Sequence, residues 1–213
     1  MTELATGAGL RVTGIPGERA VVCVNGGTGA NVPGTWSTSL EWLVRRLAPR
    51  FPELAFGEVK YRIKSWKRLD MCTEDALAAI EEMGAPHTLV IGFSMGGAVA
   101  IKAARHPFVE EVVGLAPWIP ERLDLSPLEG RKLVVYHGSL DRYLPGIPGV
   151  SPKNSRSGYE RARAMGIDGM YTLIPVALHG IAVRAPGGRP VPLPKARTWA
   201  RYVASTVETW AEG

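Results

Sequence analysis

One short segment combines a nucleophile with the backbone features that would expose it. Gly92-Phe93-Ser94-Met95-Gly96 follows an apolar run, residues 88–91, and precedes an apolar segment of helical character, residues 98–104. A strand, an abrupt turn and a helix are the setting in which G-x-S-x-G forms a nucleophile elbow. Such a turn strains the serine backbone and brings the flanking glycines too close to other backbone for a side chain. We therefore predict a serine hydroxyl raised at a helix N-terminus, where developing negative charge is favoured.

Strand-like and helix-like segments alternate along the chain, as is typical of a parallel sheet with helices on both faces. The predicted strands are 19–24, 55–63, 88–91, 109–116, 132–137 and 170–174. The predicted helices are 36–47, capped by Thr35 or Ser37, then 73–83, capped by Thr73, and then 98–105, 157–165 and 194–211. Two Pro/Gly-rich stretches, 145–158 and 185–194, are predicted to be long loops. The sequence therefore predicts one α/β domain over residues 1–213 with a mostly parallel central sheet.

Several chemically capable residues follow directly after predicted strands. Ser94, Asp141, His179 and the cluster Asn25-Gly26-Gly27-Thr28-Gly29 all have this placement. In open parallel sheets, ligands bind outside the carboxyl ends of the strands. We therefore expect these residues to share one site.

Ser, Asp and His in this chain order, each after a successive strand, resemble the α/β-hydrolase fold family. The resemblance covers nearly the whole chain, and three motifs carry it: Gly92-Phe93-Ser94-Met95-Gly96-Gly97, His137-Gly138-Ser139-Leu140-Asp141 with Leu144-Pro145 after it, and Leu178-His179-Gly180. Together these motifs are specific for the fold and say little about the substrate. The resemblance implies a minimal α/β hydrolase with a Ser94–His179–Asp141 triad.

The proposed chemistry needs each of these three residue types. A serine hydroxyl is a poor nucleophile at neutral pH and needs a base within hydrogen-bond reach. His179 would accept that proton and later give it to the leaving group, while Asp141 would fix the imidazole tautomer and stabilise its charged form.

Other residues could fill the roles of base and acid. His87 precedes the elbow strand, His106 ends the following helix, and His137 lies at a strand terminus, so His179 is favoured as the base. Asp141 is favoured as the acid because it directly follows a strong strand. The alternatives for the acid are Asp124 and Asp168.

The oxyanion hole is expected to use the backbone N–H of Met95 and one N–H in the loop after the first strong strand. By position this second donor is Gly27, with Thr28 next. Asn25 stands where a His-Gly start is common in the family. Backbone donors do not depend on that side chain, so the departure bears on the geometry of the loop rather than on the existence of the hole.

The segment between the strand before Trp118 and the strand before Asp141 is too short for a separate cap domain. We therefore expect an open, shallow site, with a candidate substrate pocket formed by Trp36, Trp118, Tyr143 and Leu144. The lack of a cap, and serine at the elbow, make the chain resemble compact esterases, thioesterases and dienelactone-hydrolase-like enzymes more than capped epoxide hydrolases or dehalogenases.

Composition excludes several classes of function. With 46% hydrophobic and 21% charged residues, the chain has an ordinary globular composition, and no apolar run reaches the length of a membrane span. Two cysteines and no secretory signal predict a cytoplasmic protein. Neither a metal-ligand pattern nor a nucleic-acid module is present, so we expect no metal, no cofactor and no nucleic-acid partner. The sequence does not indicate an oligomeric state.

The positive charge lies mainly in the C-terminal part, which has 12 Lys and Arg against 5 Asp and Glu from residue 131 onward. This basic region is either a solvated surface without a partner or a surface that attracts anions. The basic residues Arg142, Lys153, Arg156 and Arg184 hint at a negatively charged substrate.

These features predict a serine hydrolase that cleaves a carboxylic ester or thioester through an acyl-Ser94 intermediate. The same triad could instead support lactone or amide hydrolysis or perhydrolysis. From a different class, a non-catalytic α/β-hydrolase-fold protein could bind a ligand without turning it over, because a fold does not fix a function.

Overall fold

The computed structural model describes residues 1–141 and 149–213. In chain order, the strands are β1 Thr2–Glu3, β2 Gly9–Thr13, β3 Arg19–Val24, β4 Val32–Pro33, β5 Ala55–Lys60, β6 Ile63–Lys64, β7 His87–Phe93, β8 Val109–Leu115, β9 Lys132–Gly138, β10 Asp168–Ile174, β11 Ala182–Arg184 and β12 Pro190–Pro192. The helices are α1 Thr38–Leu47, α2 Leu69–Met83, α3 Met95–Ala103, α4 Pro152–Ala164 and α5 Ala196–Glu212.

Eight strands form one sheet in the order β1-β2-β5-β3-β7-β8-β9-β10. From β5 to β10 every neighbouring pair is parallel, whereas β2 runs antiparallel to both β1 and β5. Two small antiparallel pairs, β4 with β6 and β11 with β12, lie outside this sheet. The mostly parallel α/β architecture predicted from the sequence is therefore confirmed.

The sheet has a buried core on each face. Alternate residues of β7 show this: Val90 belongs to the core that packs against α2, α3 and α4, and Leu89 and Ile91 belong to the core that packs against α1 and α5. Strands buried on both faces are almost continuously apolar, which is why they were recognisable in the sequence.

Several boundaries differ from those predicted. Helix α4 begins at Pro152, with Ser151 as its N-cap, so the predicted loop 145–158 is wrong in its second half. Thr73 does not cap α2, because that helix begins at Leu69 and the Thr73 hydroxyl donates to the Leu69 carbonyl inside it. The predicted loop 185–194 contains β12, which pairs with β11.

The connection between β8 and β9, residues 116–131, contains one short 3-10 turn and no cap domain. The carboxyl ends of the central strands are therefore not covered by an inserted domain at this point. Within residues 1–141 and 149–213, no helix has the length and apolarity needed to span a membrane.

Candidate active site

Ser94 occupies a strained position between β7 and α3. Its backbone angles are φ 56° and ψ −119°, a region that residues with a side chain rarely adopt. A Cβ on Gly92 would lie 2.2 Å from the Gly96 carbonyl oxygen, and a Cβ on Gly96 would lie 2.4 Å from the Val24 carbonyl oxygen. The strained serine and the requirement for both glycines confirm the predicted turn geometry.

The backbone around Ser94 is held from three directions. Its N–H donates to the carbonyl of Leu115 at 2.9 Å, and its own carbonyl accepts from Gly97 N–H at 2.9 Å and from Trp118 N–H at 2.8 Å. Strand β8 and the start of the following loop therefore fix the turn that presents the serine. Buried hydrogen bonds of this kind can maintain a strained conformation that the local sequence would not adopt alone.

An imidazole and a carboxylate meet at the ends of β9 and β10. His179 Nδ1 lies 2.5 Å from Asp141 Oδ2, and Asp141 is 1% exposed. Burial alone would raise the pKa of Asp141, but hydrogen bonds from His137 and His179 outweigh it, so the pKa lies below its ordinary value. The carboxylate is therefore ionised at neutral pH and can orient the His179 ring.

The two alternative acids lie elsewhere. Asp168 begins β10 and pairs in register with Lys132 at the start of β9, which is the opposite end of these strands. Asp124 accepts hydrogen bonds from the amide and hydroxyl of Ser126 within a surface turn. The structure therefore brings Asp141, and neither of these residues, to His179.

A second histidine, for which no role in the site was predicted, supports the same carboxylate. His137 Nε2 lies 2.9 Å from Asp141 Oδ2, while the Val150 N–H donates to Asp141 Oδ1 at 3.1 Å. His137 Nδ1 lies 2.7 Å from Ser155 Oγ, which in turn lies 3.0 Å from the Tyr171 hydroxyl. The His-Gly sequence just before the acid was the available signal for this network.

Ser94 and His179 face a common cavity of about 360 Å³. The described residues that line it are Asn25, Gly26, Gly27, Lys64, Trp66, Phe93, Ser94, Trp118, Gly149, Val150 and His179. The His179 ring also packs against Phe93, with ring centroids 5.1 Å apart. Among the described residues, no hydrogen bond of 3.5 Å or less joins Ser94 Oγ to His179. The two groups thus share a cavity without being hydrogen-bonded to each other.

The loop after β3 packs against the serine turn. Gly27 lines the cavity, and a Cβ there would lie 2.1 Å from Met95 Sδ. Asn25 shapes this loop, since its Oδ1 accepts from Gly26 N–H at 2.7 Å and its Nδ2 donates to the Thr35 carbonyl at 2.8 Å. Thr28 does not line the cavity, and its hydroxyl donates to the Ala30 carbonyl. Of the two donors considered in this loop, Gly27 is therefore the one that lies against Met95 and lines the cavity.

The aromatic lining differs in part from the predicted pocket. Trp118 lines the cavity, but Trp36 lines a neighbouring depression, where the guanidinium of Arg11 lies 4.7 Å from its ring centroid. Trp66, which the sequence did not indicate, lines the cavity where Trp36 was expected. Its ring centroid lies 6.3 Å from that of Trp118. The predicted pocket residues Tyr143 and Leu144 lie outside the described residues.

Comparison with known proteins identifies the family and the fold of the chain. The model of the alpha/beta hydrolase family matches residues 21–212. No curated protein sequence matches the chain. Among solved structures, the chain is similar to a sugar hydrolase (YeeB) from Lactococcus lactis, at 14% identity over 96% of this chain and 95% of that chain, with a TM-score of 0.69.

Two further solved structures share the fold. One is Est2, a thermophilic esterase from the Planctomycetes species Thermogutta terrifontis in a butyrate-bound form, at 15% identity over 97% of this chain and 89% of that chain, with a TM-score of 0.65. The other is XC6422 from Xanthomonas campestris, a serine hydrolase without a lid, at 16% identity over 83% of each chain, with a TM-score of 0.56. Such low identities show a likeness of fold alone. Because the family model spans most of the sequence, the chain belongs to the alpha/beta hydrolase family.

Proposed function

We propose that this chain is a serine hydrolase that cleaves a carboxylic ester or thioester through an acyl-Ser94 intermediate. The observation that carries the proposal is the His179 imidazole, which is oriented by the buried Asp141 and faces the same cavity as Ser94. A half-buried serine that lines the cavity, an oriented base and an ionised acid are the three components that this chemistry requires.

In the proposed mechanism, Ser94 Oγ attacks the carbonyl carbon while His179 Nε2 accepts its proton. The tetrahedral intermediate collapses as His179 returns the proton to the departing alcohol or thiol, leaving the acyl group on Ser94. Water then attacks the acyl carbon, with His179 again as the base, and the carboxylic acid is released. This requires His179 Nε2 to reach Ser94 Oγ in the substrate complex, and catalytic hydrogen bonds often tighten only at that stage.

Negative charge on the intermediate would be stabilised by the N–H groups of Met95 and Gly27. Met95 begins α3, so its N–H has no partner within the helix. Gly27 packs against the Met95 side chain and lines the cavity. Loss of one such donor typically costs about 3 kcal/mol of transition-state stabilisation.

The choice of an ester or thioester rests on the neighbours and on the site. Several similar structures are described as esterases, among them the butyrate-bound Est2. The cavity of about 360 Å³ suits a small or medium acyl group rather than a polymer.

A fluorophosphonate probe tests the proposal, because it reacts covalently with an activated serine. We expect one probe per chain on the intact protein and none on Ser94→Ala, together with a loss of ester turnover of about 10⁴-fold or more. Ser157→Ala, at an exposed serine on α4, is the matched control and should label normally. Intact mass spectrometry and p-nitrophenyl ester assays provide the measurements.

Labelling that persists in Ser94→Ala would contradict the proposal. A panel that pairs p-nitrophenyl esters with acyl thioesters of the same chain length would separate esterase from thioesterase activity. Saturable binding of these compounds without turnover would favour the non-catalytic alternative.

A further inference from the structure

The proposed catalytic cavity contains one lysine, and it is placed by a small structural unit. Lys64 is the second residue of β6, which pairs with β4 through Val32↔Lys64. The Trp66 N–H donates to the Thr28 carbonyl at 3.0 Å, so the segment that carries Lys64 is tied to the loop that carries Gly27. Lys64 borders both the catalytic cavity and the depression next to Trp36. Its position is therefore fixed by backbone pairing rather than left to a free loop.

The ammonium group of Lys64 has a polar contact, and no carboxylate among the described residues pairs with it. Its Nζ donates to Thr35 Oγ1 at 2.9 Å. Among the described residues, no carboxylate lies within 4.0 Å of Nζ, and residues 142–148 contain no Asp or Glu. Burial lowers the pKa of Lys64 because the charged form has lost part of its water. A bound anion would restore the interaction that burial has removed.

Apart from Lys64, the described lining of the cavity is mainly apolar. Trp66, Trp118 and Phe93 provide apolar walls, and no Asp or Glu is among the described residues that line the cavity. A carboxylate in this space would meet a fixed positive charge and no repulsion from the lining. A neutral group of the same size would gain only the apolar contacts.

The other basic residues singled out in the sequence do not compete for this role. Arg184 pairs with Glu41 at 2.9 Å, and Arg156 lies 4.3 Å from the centroid of the Tyr171 ring. Lys153 is on α4 and does not line the cavity, and Arg142 lies outside the described residues. Among the described cations of the chain, Lys64 is therefore the one that lines the cavity shared by Ser94 and His179.

We propose that Lys64 is a specificity residue that selects esters or thioesters carrying a carboxylate, on either the acyl side or the leaving-group side of the bond cleaved. This inference rests on the proposed function and narrows its substrate class. The ammonium would form a charge-assisted hydrogen bond with the substrate carboxylate, which is stronger than a bond between neutral groups. Because it acts away from the reacting carbonyl, its contribution should appear mainly in kcat/KM.

Matched substrate pairs test the proposal and locate the carboxylate. On the acyl side, the p-nitrophenyl monoester of glutaric acid is compared with its neutral glutaramic acid analogue. On the leaving-group side, the butyrate ester of 4-hydroxybenzoate is compared with that of 4-hydroxybenzamide. The measured quantity is the ratio of kcat/KM for the anionic and the neutral member of each pair. Comparing this ratio between variants cancels the intrinsic reactivity of the esters.

We expect the ratio to fall about tenfold or more in Lys64→Met for at least one pair, because a charge-assisted bond is lost. Lys64→Arg should retain much of the preference, and added salt should weaken it in the unmodified protein. Lys67→Met is the matched control, since Lys67 is exposed three residues away and does not line the cavity. Its ratio should equal that of the unmodified protein.

Three outcomes are decisive. A lower ratio in Lys64→Met, but not in Lys67→Met, supports the proposal, and the pair that changes identifies the side that carries the carboxylate. Equal ratios in the unmodified protein and Lys64→Met, with both esters hydrolysed, overturn the role of Lys64 while leaving the serine hydrolase intact. Failure to hydrolyse either member of both pairs, together with absent fluorophosphonate labelling, overturns the proposed function and this inference with it.

Discussion

At the residue scale, one oxygen of Asp141 lies within hydrogen-bond distance of two imidazoles. His179 Nδ1 approaches it from the cavity, and His137 Nε2 approaches from the buried side. His137 Nε2 also lies 2.9 Å from the Val150 carbonyl, which can only accept, so this nitrogen carries a proton. The other ring nitrogen, Nδ1, lies 2.7 Å from Ser155 Oγ and can accept from it. The chain Tyr171–Ser155–His137 therefore favours one tautomer of His137 and holds Asp141 in the orientation that His179 needs.

Replacing His137 tests this positioning role. His137→Phe removes both ring nitrogens, so Asp141 loses a donor that holds its pKa down, and that pKa should rise. We expect ester turnover at neutral pH to fall about ten- to hundredfold, because the His179 ring is less well oriented. Because Asp141 then takes up a proton more readily, the loss should be larger at acidic pH than at neutral pH, which a pH profile of kcat would measure.

His87→Phe is the control for this change. His87 is a half-buried histidine at the start of β7, and its Nδ1 lies 2.6 Å from Glu110 Oε1, away from the cavity. Its pH profile should match that of the unmodified protein. A His137→Phe protein with unaltered kcat and an unaltered profile would show that the second imidazole does not position the acid.

The sequence indicated residues with reactive side chains better than residues that shape the cavity. Ser94, Asp141 and His179 stand in motifs whose spacing relative to strands is informative. Lys64 ends the two-residue strand β6, and Trp66 begins the short 3-10 turn that follows. No periodic pattern in so short a segment distinguishes them from surface residues. Their placement depends on pairing between β4 and β6, which neither short segment predicts by itself.

At the element scale, the serine turn depends on contact between α3 and the end of β3. A Cβ on Gly96 would lie 2.4 Å from the Val24 carbonyl oxygen and 2.7 Å from that of Asn25. Inside a helix, alanine is normally favoured over glycine by about 1 kcal/mol. Here the close approach of two carbonyl oxygens outweighs that preference.

We therefore expect Gly96→Ala to lower the free energy of unfolding by about 2 to 3 kcal/mol, the usual cost of overpacking. Ester turnover should also fall, because the displaced segment leads directly to Gly27. Urea unfolding and ester assays measure the two effects. Gly187→Ala, where a Cβ meets nothing within 4 Å, should change neither quantity. Equal stability of Gly96→Ala and the unmodified protein would refute the steric argument.

The predictability of the elements followed their length and burial. Strands β3 and β9 were predicted to within one residue at either end, because each is a long apolar run. The start of α4 was not predicted, because it lies in a Pro/Gly-rich stretch that is typical of a loop. Ser151 caps this helix, and Pro152 occupies its first turn, a position that proline tolerates. Strand β12 contains two prolines and is defined only by its partner β11. Such pieces owe their structure to tertiary contacts rather than to local sequence.

At the scale of the whole molecule, the end of the sheet opposite the cavity holds an unusual carboxyl group. Glu111 on β8 is 5% exposed and pairs in register with Lys132 of β9. Burial raises its pKa to about 7; Asp168 and Glu110 add to this effect, and Lys132 opposes it. The folded protein therefore holds a proton on Glu111 at pH values where the unfolded chain has released it.

This difference makes stability fall as the pH rises from about 4.5 to about 7, because the folded state binds more protons over that range. We expect Glu111→Gln to remove a decrease on the order of 2 kcal/mol, a figure that allows for partial solvation of the group. Urea unfolding near pH 5 and near pH 8 would measure it. The exposed Glu129→Gln should keep the pH dependence of the unmodified protein. An unchanged pH dependence in Glu111→Gln would show that this carboxyl ionises normally in the fold.

The order of the strands also has a consequence for biosynthesis. The loop that carries Gly27 follows β3, Ser94 follows β7, Asp141 follows β9, and His179 follows β10. Because parallel neighbours pair only after long connections have closed, the cavity assembles late, when contacts distant along the chain have formed. During translation, His179 leaves the ribosome long after Ser94, the residue whose hydroxyl it is proposed to activate. A nascent chain that ends before residue 179 therefore carries the serine but lacks the base proposed to activate it.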